Sequence, residues 1–178
     1  MMEDIKKGRI HLYCGDGKGK TTAAIGLVVR AVGRGYRVIF AQFLKTSETG
    51  ELLPLRNMGV TILRGNLPFG FTWELSAAQK QSLIEEHNKL LHKAISLAGD
   101  GENTLLILDE LVGAYAGNVL HRDTALSFLR EKPKSLELVI TGRNPTPELL
   151  QYADYITEMR KQRHPMDQGL GARMGIEF

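Results

Sequence analysis

The sequence predicts an α/β fold, a three-layer sandwich built on a mostly parallel sheet, and three observations predict it. Apolar stretches of strand length alternate with stretches of helical spacing. The strands are nearly continuous in hydrophobicity, as strands covered on both faces are. The residues that could carry chemistry all fall just after strand ends, on the sheet edge where open α/β folds hold their ligands. Right-handed crossovers would join the strands, and 178 residues make one domain, residues 1–178.

The first strand is Arg9-Ile10-His11-Leu12-Tyr13, and it runs into Cys14-Gly15-Asp16-Gly17-Lys18-Gly19-Lys20-Thr21-Thr22 before a helix over residues 20–33. A strand delivering three glycines to a helix start makes a phosphate site. Backbone N–H groups can close on an anion there, and the helix dipole adds partial positive charge. Lys20 supplies a full charge, Lys18 a second, and the Thr21 hydroxyl stands where a Mg²⁺ ion shared with the phosphates needs an oxygen ligand. The first glycine of the usual G-x-x-x-x-G-K-[ST] pattern would fall on Cys14. The loop is therefore a shortened variant, Gly15-x-x-x-Gly19-Lys20-Thr21, and it reads as the P-loop of a polyphosphate-binding protein.

Gly33-Arg34-Gly35 stops the first helix, and Tyr36-Arg37-Val38-Ile39-Phe40-Ala41-Gln42-Phe43 is the second strand. The polar loop after it makes Lys45 and Glu51 further site candidates. A third short strand, Gly59-Val60-Thr61-Ile62-Leu63, precedes the least regular stretch, Arg64-Gly65-Asn66-Leu67-Pro68-Phe69-Gly70-Phe71-Thr72-Trp73-Glu74. Its aromatic residues have two readings on sequence alone: rings folded back to plug the core, or a binding surface.

Ser76 caps a long helix with apolar positions at Leu83, Ile84, Leu90, Leu91, Ala94, Ile95 and Ala98, ending at Gly99-Asp100-Gly101. His87 and His92 on it lack a partner four residues away for a metal. Thr104-Leu105-Leu106-Ile107-Leu108-Asp109-Glu110 is a fourth strand ending in two acids. Such a strand is expected beside the first, its acids reaching the Mg²⁺ on the polyphosphate; acids at a helix start are the plain alternative. Asp123 is expected to cap a helix stopping at Pro133. Leu136-Glu137-Leu138-Val139-Ile140 is a fifth strand that points Arg143 toward the ligand edge, Thr146-Pro147-Glu148 starts another helix, and residues 154–159 form a final strand. Residues 160–178 make a basic, glycine-containing tail without periodicity.

Composition narrows the function. A hydrophobic content of 43% and a charged content of 24% are those of a globular protein. No apolar run approaches the roughly 20 residues that span a bilayer, and the start lacks the apolar core of a signal peptide, which predicts a cytoplasmic protein. One cysteine excludes an internal disulfide and zinc sites of the two- or four-cysteine kind. A net charge of +3 spread over the chain does not indicate a nucleic-acid partner.

The chain resembles the ATP:corrinoid adenosyltransferases of the CobA/CobO/BtuR type. The resemblance is carried by the shortened loop at 15–22, by Ala31-Val32-Gly33-x-Gly35, Gln42-Phe43-Leu44-Lys45, Gly70-Phe71-Thr72-Trp73-Glu74, Leu108-Asp109-Glu110-Leu111, Ile140-Thr141-Gly142-Arg143 and Met174-Gly175-Ile176-Glu177-Phe178. It implies a RecA-like P-loop NTPase sheet, a homodimer, and transfer of the 5′-deoxyadenosyl group of ATP to the cobalt of a reduced corrinoid, with triphosphate leaving. On this resemblance residues 15–22 cradle the triphosphate, with Lys20 as the catalytic cation. Thr21 and Glu110 hold Mg²⁺ or Mn²⁺ with help from Asp109, and Arg30 and Arg143 contact the nucleotide. Phe71 and Trp73 approach the corrin and keep an axial ligand off the cobalt, the tail 160–178 closes the site, and a flavodoxin-like flavoprotein supplies electrons. The rival readings are a P-loop nucleoside kinase or an ATPase using Glu110 as base. A kinase of the thymidine-kinase-like type needs a cysteine zinc lobe that one cysteine cannot build.

Overall fold

The computed structural model describes residues 7–67 and 75–178. Six strands, β1 (Ile10–Cys14), β2 (Arg37–Gln42), β3 (Thr61–Arg64), β4 (Thr104–Asp109), β5 (Glu137–Thr141) and β6 (Tyr155–Glu158), form one parallel sheet in the order β3-β2-β4-β5-β1-β6. Helices α1 (Lys20–Val32) and α2 (Leu52–Asn57) cover one face. The other is covered by α3 (Ala77–Ala98), α4 (Leu111–Ala116), α5 (Arg122–Glu131) and α6 (Pro147–Leu150).

Side chains alternate along a strand, so both faces can be followed on β4. Leu105 and Ile107 pack with Ala24 and Val28 of α1, while Leu106 and Leu108 pack with Leu91 and Ala94 of α3. All six β4 residues are buried, which is why this stretch lacks any polar alternation. Ser76 caps α3 in a reciprocal capping box with Gln79. In α2, Pro54 sits in the first turn, where the amide it lacks would have had no helical partner. α2 and a short 3-10 helix, Pro165–Gln168, are elements that the sequence pattern does not announce.

Two expectations are corrected. β4 does not lie beside β1, because β5 stands between them, pairing Leu138 with Ile10 on one side and with Leu106 on the other. α1 leans across that face, its Ala24 and Val28 sharing a cluster with Val139, Ile107 and Leu105, so its first turn still reaches the end of β4. Asp123 is not the cap of α5. His121 is, its N–H held by Asn88 Oδ1 at 3.0 Å, and Asp123 falls in the first turn, where its charge still favours the helix dipole. Phe71 and Trp73 lie outside the described residues, and so does the question whether their rings plug the core.

Candidate nucleotide site

The loop after β1 divides into two halves with different jobs. In the first, Gly15 and Gly17 lie so close to the segment following β6 that a Cβ would stand 2.4 Å and 2.6 Å from the Met159 carbonyl oxygen. The Gly17 N–H donates to that oxygen at 2.6 Å, and Asp16 Oδ1 accepts from the Lys161 N–H at 2.9 Å, which holds its carboxyl below the usual range. These glycines admit a neighbouring backbone. The second half, Lys18, Gly19, Lys20, Thr21 and Thr22, lines a cavity of about 430 Å³. Gly19 precedes α1 with φ 114°, a conformation that needs glycine, and turns the first amides of the helix toward that space.

Lys20 is buried, and its Nζ donates to the Gly17 carbonyl at 2.7 Å. Burial, and then the charge of Arg143, push its pKa down. An anion entering the loop would meet a cation whose charge is unfavourably placed, and would relieve that cost.

Across the cavity, Asp109 is fully buried at the end of β4 and gathers donors from three elements. Its Oδ1 accepts from Thr21 Oγ1 at 2.9 Å and Thr141 Oγ1 at 2.7 Å; its Oδ2 accepts from Gln42 Nε2 at 2.9 Å, with Lys45 Nζ 3.7 Å away. Glu110 follows in the left-handed region at φ 61°, with its N–H donating to Thr141 Oγ1 at 3.0 Å, and it begins α4. Both readings of the acid pair therefore apply at once, since Glu110 starts a helix and also lines the cavity. Burial and the neighbouring Asp109 raise its carboxyl pKa, while Lys45, Lys20 and Arg143 oppose them.

Lys45 and Glu51 also line the cavity. Arg143 is exposed at the end of β5, near enough for its charge to act on Lys20, Asp16 and Glu110. Arg30 stands apart from these residues. Ten residues along α1 place it about 15 Å from Lys20, beside Tyr36, Leu105 and Glu137 and not in the loop cavity. Sequence reasoning missed Gln42 and Thr141 as site residues, neutral side chains that orient Asp109. The signal available was a polar residue at the carboxyl end of a buried strand.

Cys14 is buried, which pushes its thiol pKa up and away from thiolate chemistry. His87 is a core residue: Nδ1 bonds the Val119 carbonyl at 2.9 Å, Nε2 accepts from the Leu44 N–H at 3.5 Å, and its ring meets Phe43 edge-on.

The donors around Glu110 are oxygens, the Thr21 hydroxyl and the Asp109 and Glu110 carboxylates, and among the described residues no cluster of three His, Cys, Asp or Glu forms a metal site by itself. That set fits Mg²⁺, which takes one or two carboxylates and leaves its other positions to water and phosphate. No helix of the described residues is long and apolar enough to cross a membrane.

The sequence model of the family described as ATP:corrinoid adenosyltransferase BtuR/CobO/CobP matches residues 6–178. Among curated relatives, the chain is similar to the corrinoid adenosyltransferase of Pseudomonas aeruginosa, 33% identical over 174 residues that cover 97% of this chain and 85% of that one. It is 35% identical to the corrinoid adenosyltransferase of a Sinorhizobium species, covering 97% and 81%, and 34% identical to corrinoid adenosyltransferase CobA of Salmonella typhimurium, covering 97% and 87%. Among solved structures, the cytoplasmic domain of EssC superposes with a TM-score of 0.54 at 18% identity, over 98% of this chain and 35% of that one. EssC ATPases 2 and 3 from Geobacillus thermodenitrificans give 0.54 at 14%, over 94% and 35%. These two likenesses concern the fold alone.

Proposed function

The chain belongs to the ATP:corrinoid adenosyltransferase family, and from that premise we infer that it transfers the 5′-deoxyadenosyl group of ATP to the cobalt(I) of a reduced corrinoid, releasing triphosphate. The observation that carries this reading is one cavity in which the start of α1, with Lys20 and Thr21, faces Glu110. Cobalt(I) is itself the nucleophile toward C5′, so no side chain need attack or take a proton there. What the protein must do is align C5′ with the cobalt and stabilise triphosphate as it leaves.

Lys20 and the first amides of α1 answer the charge that builds on the leaving phosphates, and Arg143 and Lys45 add positive field from the far side. Thr21, Glu110 and Asp109 would hold Mg²⁺ or Mn²⁺, which supplies charge neutralisation to the triphosphate when bound. Gln42 and Thr141 keep the Asp109 carboxylate oriented. Phe71 and Trp73, on the family resemblance, meet the corrin. To the same reading belong a homodimer, a flavodoxin-like reductant and a cytoplasmic location.

The test is anaerobic incubation with ATP, Mg²⁺ and chemically reduced corrinoid, with spectra before and after illumination and analysis of the phosphate product. A light-sensitive cobalt–carbon bond together with inorganic triphosphate is the expected result. ADP or orthophosphate, or no photolabile product with any corrinoid, would overturn it.

A further inference from the structure

Residues 173–178 come from the stretch in which the sequence shows no periodicity, yet they fold against the phosphate loop. Glu177 accepts from Lys18 Nζ at 2.8 Å and from Arg173 through its backbone N–H at 2.8 Å, Nη2 at 3.1 Å and Nε at 3.2 Å. The Glu177 N–H returns a bond to the Arg173 carbonyl at 3.0 Å, and the Gly175 N–H donates to the Phe178 carbonyl at 2.7 Å, so the segment closes on itself as a turn. Arg173 first and Lys18 second hold the Glu177 carboxyl down at about 2, so the clasp is ionised throughout the neutral range.

On either side of Glu177, Ile176 and Phe178 line the cavity while remaining 57% and 44% exposed. Large apolar side chains left open at the mouth of a charged cavity suit a ligand that is apolar at one end. The apolar side chains of the described wall are these two and Ile25, and the rest of the lining is glycine and polar groups. The turn also reaches the loop after β2, where a Cβ on Gly50 would stand 3.8 Å from the Phe178 carbonyl oxygen. ATP has the same division, with anionic phosphates at one end and flat apolar purine faces at the other.

We propose that residues 175–178 are the nucleoside wall of the site: Ile176 and Phe178 supply the apolar contacts to the adenosine moiety, and Glu177, clasped by Lys18, is the positioning residue that seats them. This rests on the ATP reading above. It gives Lys18 a task distinct from that of Lys20, anchoring the wall where Lys20 binds phosphate.

Calorimetric binding of two probes, ATP and inorganic triphosphate, separates the two ends of the site. Ile176→Ala, Phe178→Ala and Glu177→Gln are each expected to weaken ATP by about tenfold, the scale of losing one apolar side chain's contact, and to leave triphosphate within about twofold. In a Lys18→Ala background, Glu177→Gln should lower ATP affinity by less than it does alone, since one of the carboxylate's partners is already gone while Arg173 remains. Retained triphosphate binding shows that each variant is folded. ATP affinity unchanged in Phe178→Ala and Glu177→Gln, or ATP and triphosphate weakened in parallel, would overturn the proposal. A wild-type chain that binds triphosphate but not ATP would sink the ATP reading itself.

Discussion

Thr21 Oγ1 donates to Asp109 Oδ1 at 2.9 Å across a separation of 88 residues, joining the first turn of α1 to the end of β4 although β5 and β1 are the strands that pair. Asp109 is fully buried and takes further bonds from Thr141 and Gln42. Removing it strands several donors at once. Asp109→Ala is expected to lower stability by about 2–4 kcal/mol, since buried donors left without a partner cost more than the bonds themselves contribute. Asp109→Asn should also destabilise, because its NH₂ group would face a donor. Thermal unfolding of both variants checks this, and a melting temperature unchanged in Asp109→Ala would contradict it.

Lys20, in the phosphate-binding half of the site, should separate kinetically from the acids. Lys20→Ala is expected to reduce turnover by about 10²–10³, the usual effect of deleting one charge-stabilising donor. Thr21→Ala and Glu110→Gln should instead shift the Mg²⁺ concentration needed for half-maximal rate upward. Metal titration of the initial rate is the measurement. A wild-type metal requirement in both would return Glu110 to being only the start of α4.

Glycines on either side of Lys20 should respond in opposite directions to the same methyl group. At Gly17 the added Cβ would press on the Met159 carbonyl at 2.6 Å, and at Gly26, in the exposed middle of α1, it would meet nothing within 4 Å. Gly17→Ala is therefore expected to loosen the loop from the β6 segment and to lose both stability and ATP affinity. Gly26→Ala should gain about 0.5–1 kcal/mol by restricting the unfolded chain and improving helix propensity. Chemical denaturation of the two variants compares them directly.

These sites also show how far the sequence could be read. The loop and Lys20 were legible because their pattern is local: strand, glycines, cation, helix within some fifteen residues. Asp109 and Glu110 were legible as acids ending an apolar run. Gln42 and Thr141 were not, because their role depends on β2 and β5 flanking β4, and strand order is a long-range property that no local pattern carries. The same gap misplaced β4 next to β1. Arg30 was named from a resemblance, and its place on the side of α1, about ten residues beyond Lys20, follows from the helix and not from any local pattern. Segment 173–178 gave no periodic signal since its structure comes from one carboxylate, Glu177, and its cationic partners.

His87 offers a test of the scaffold under the loop after β2. It is 2% exposed, and burial lowers its pKa from the ordinary value near 6.5 despite its bond to Val119. The unfolded chain therefore takes up a proton at pH values where the folded chain still excludes it. Stability is full above about pH 6.5 and falls as pH drops toward the folded value, with a slope of up to about 1.4 kcal/mol per pH unit from this one group. Because Nε2 accepts from the Leu44 N–H, and Leu44 is held at φ 57° beside Lys45, protonation should also release the Lys45 side of the nucleotide cavity. Denaturant unfolding measured from pH 7.5 to 5 should show this acid-side loss in the wild type and a shallower one in His87→Gln. Equal slopes in the two proteins would mean that the acid sensitivity arises elsewhere, and that the imidazole is not what holds Leu44 in place.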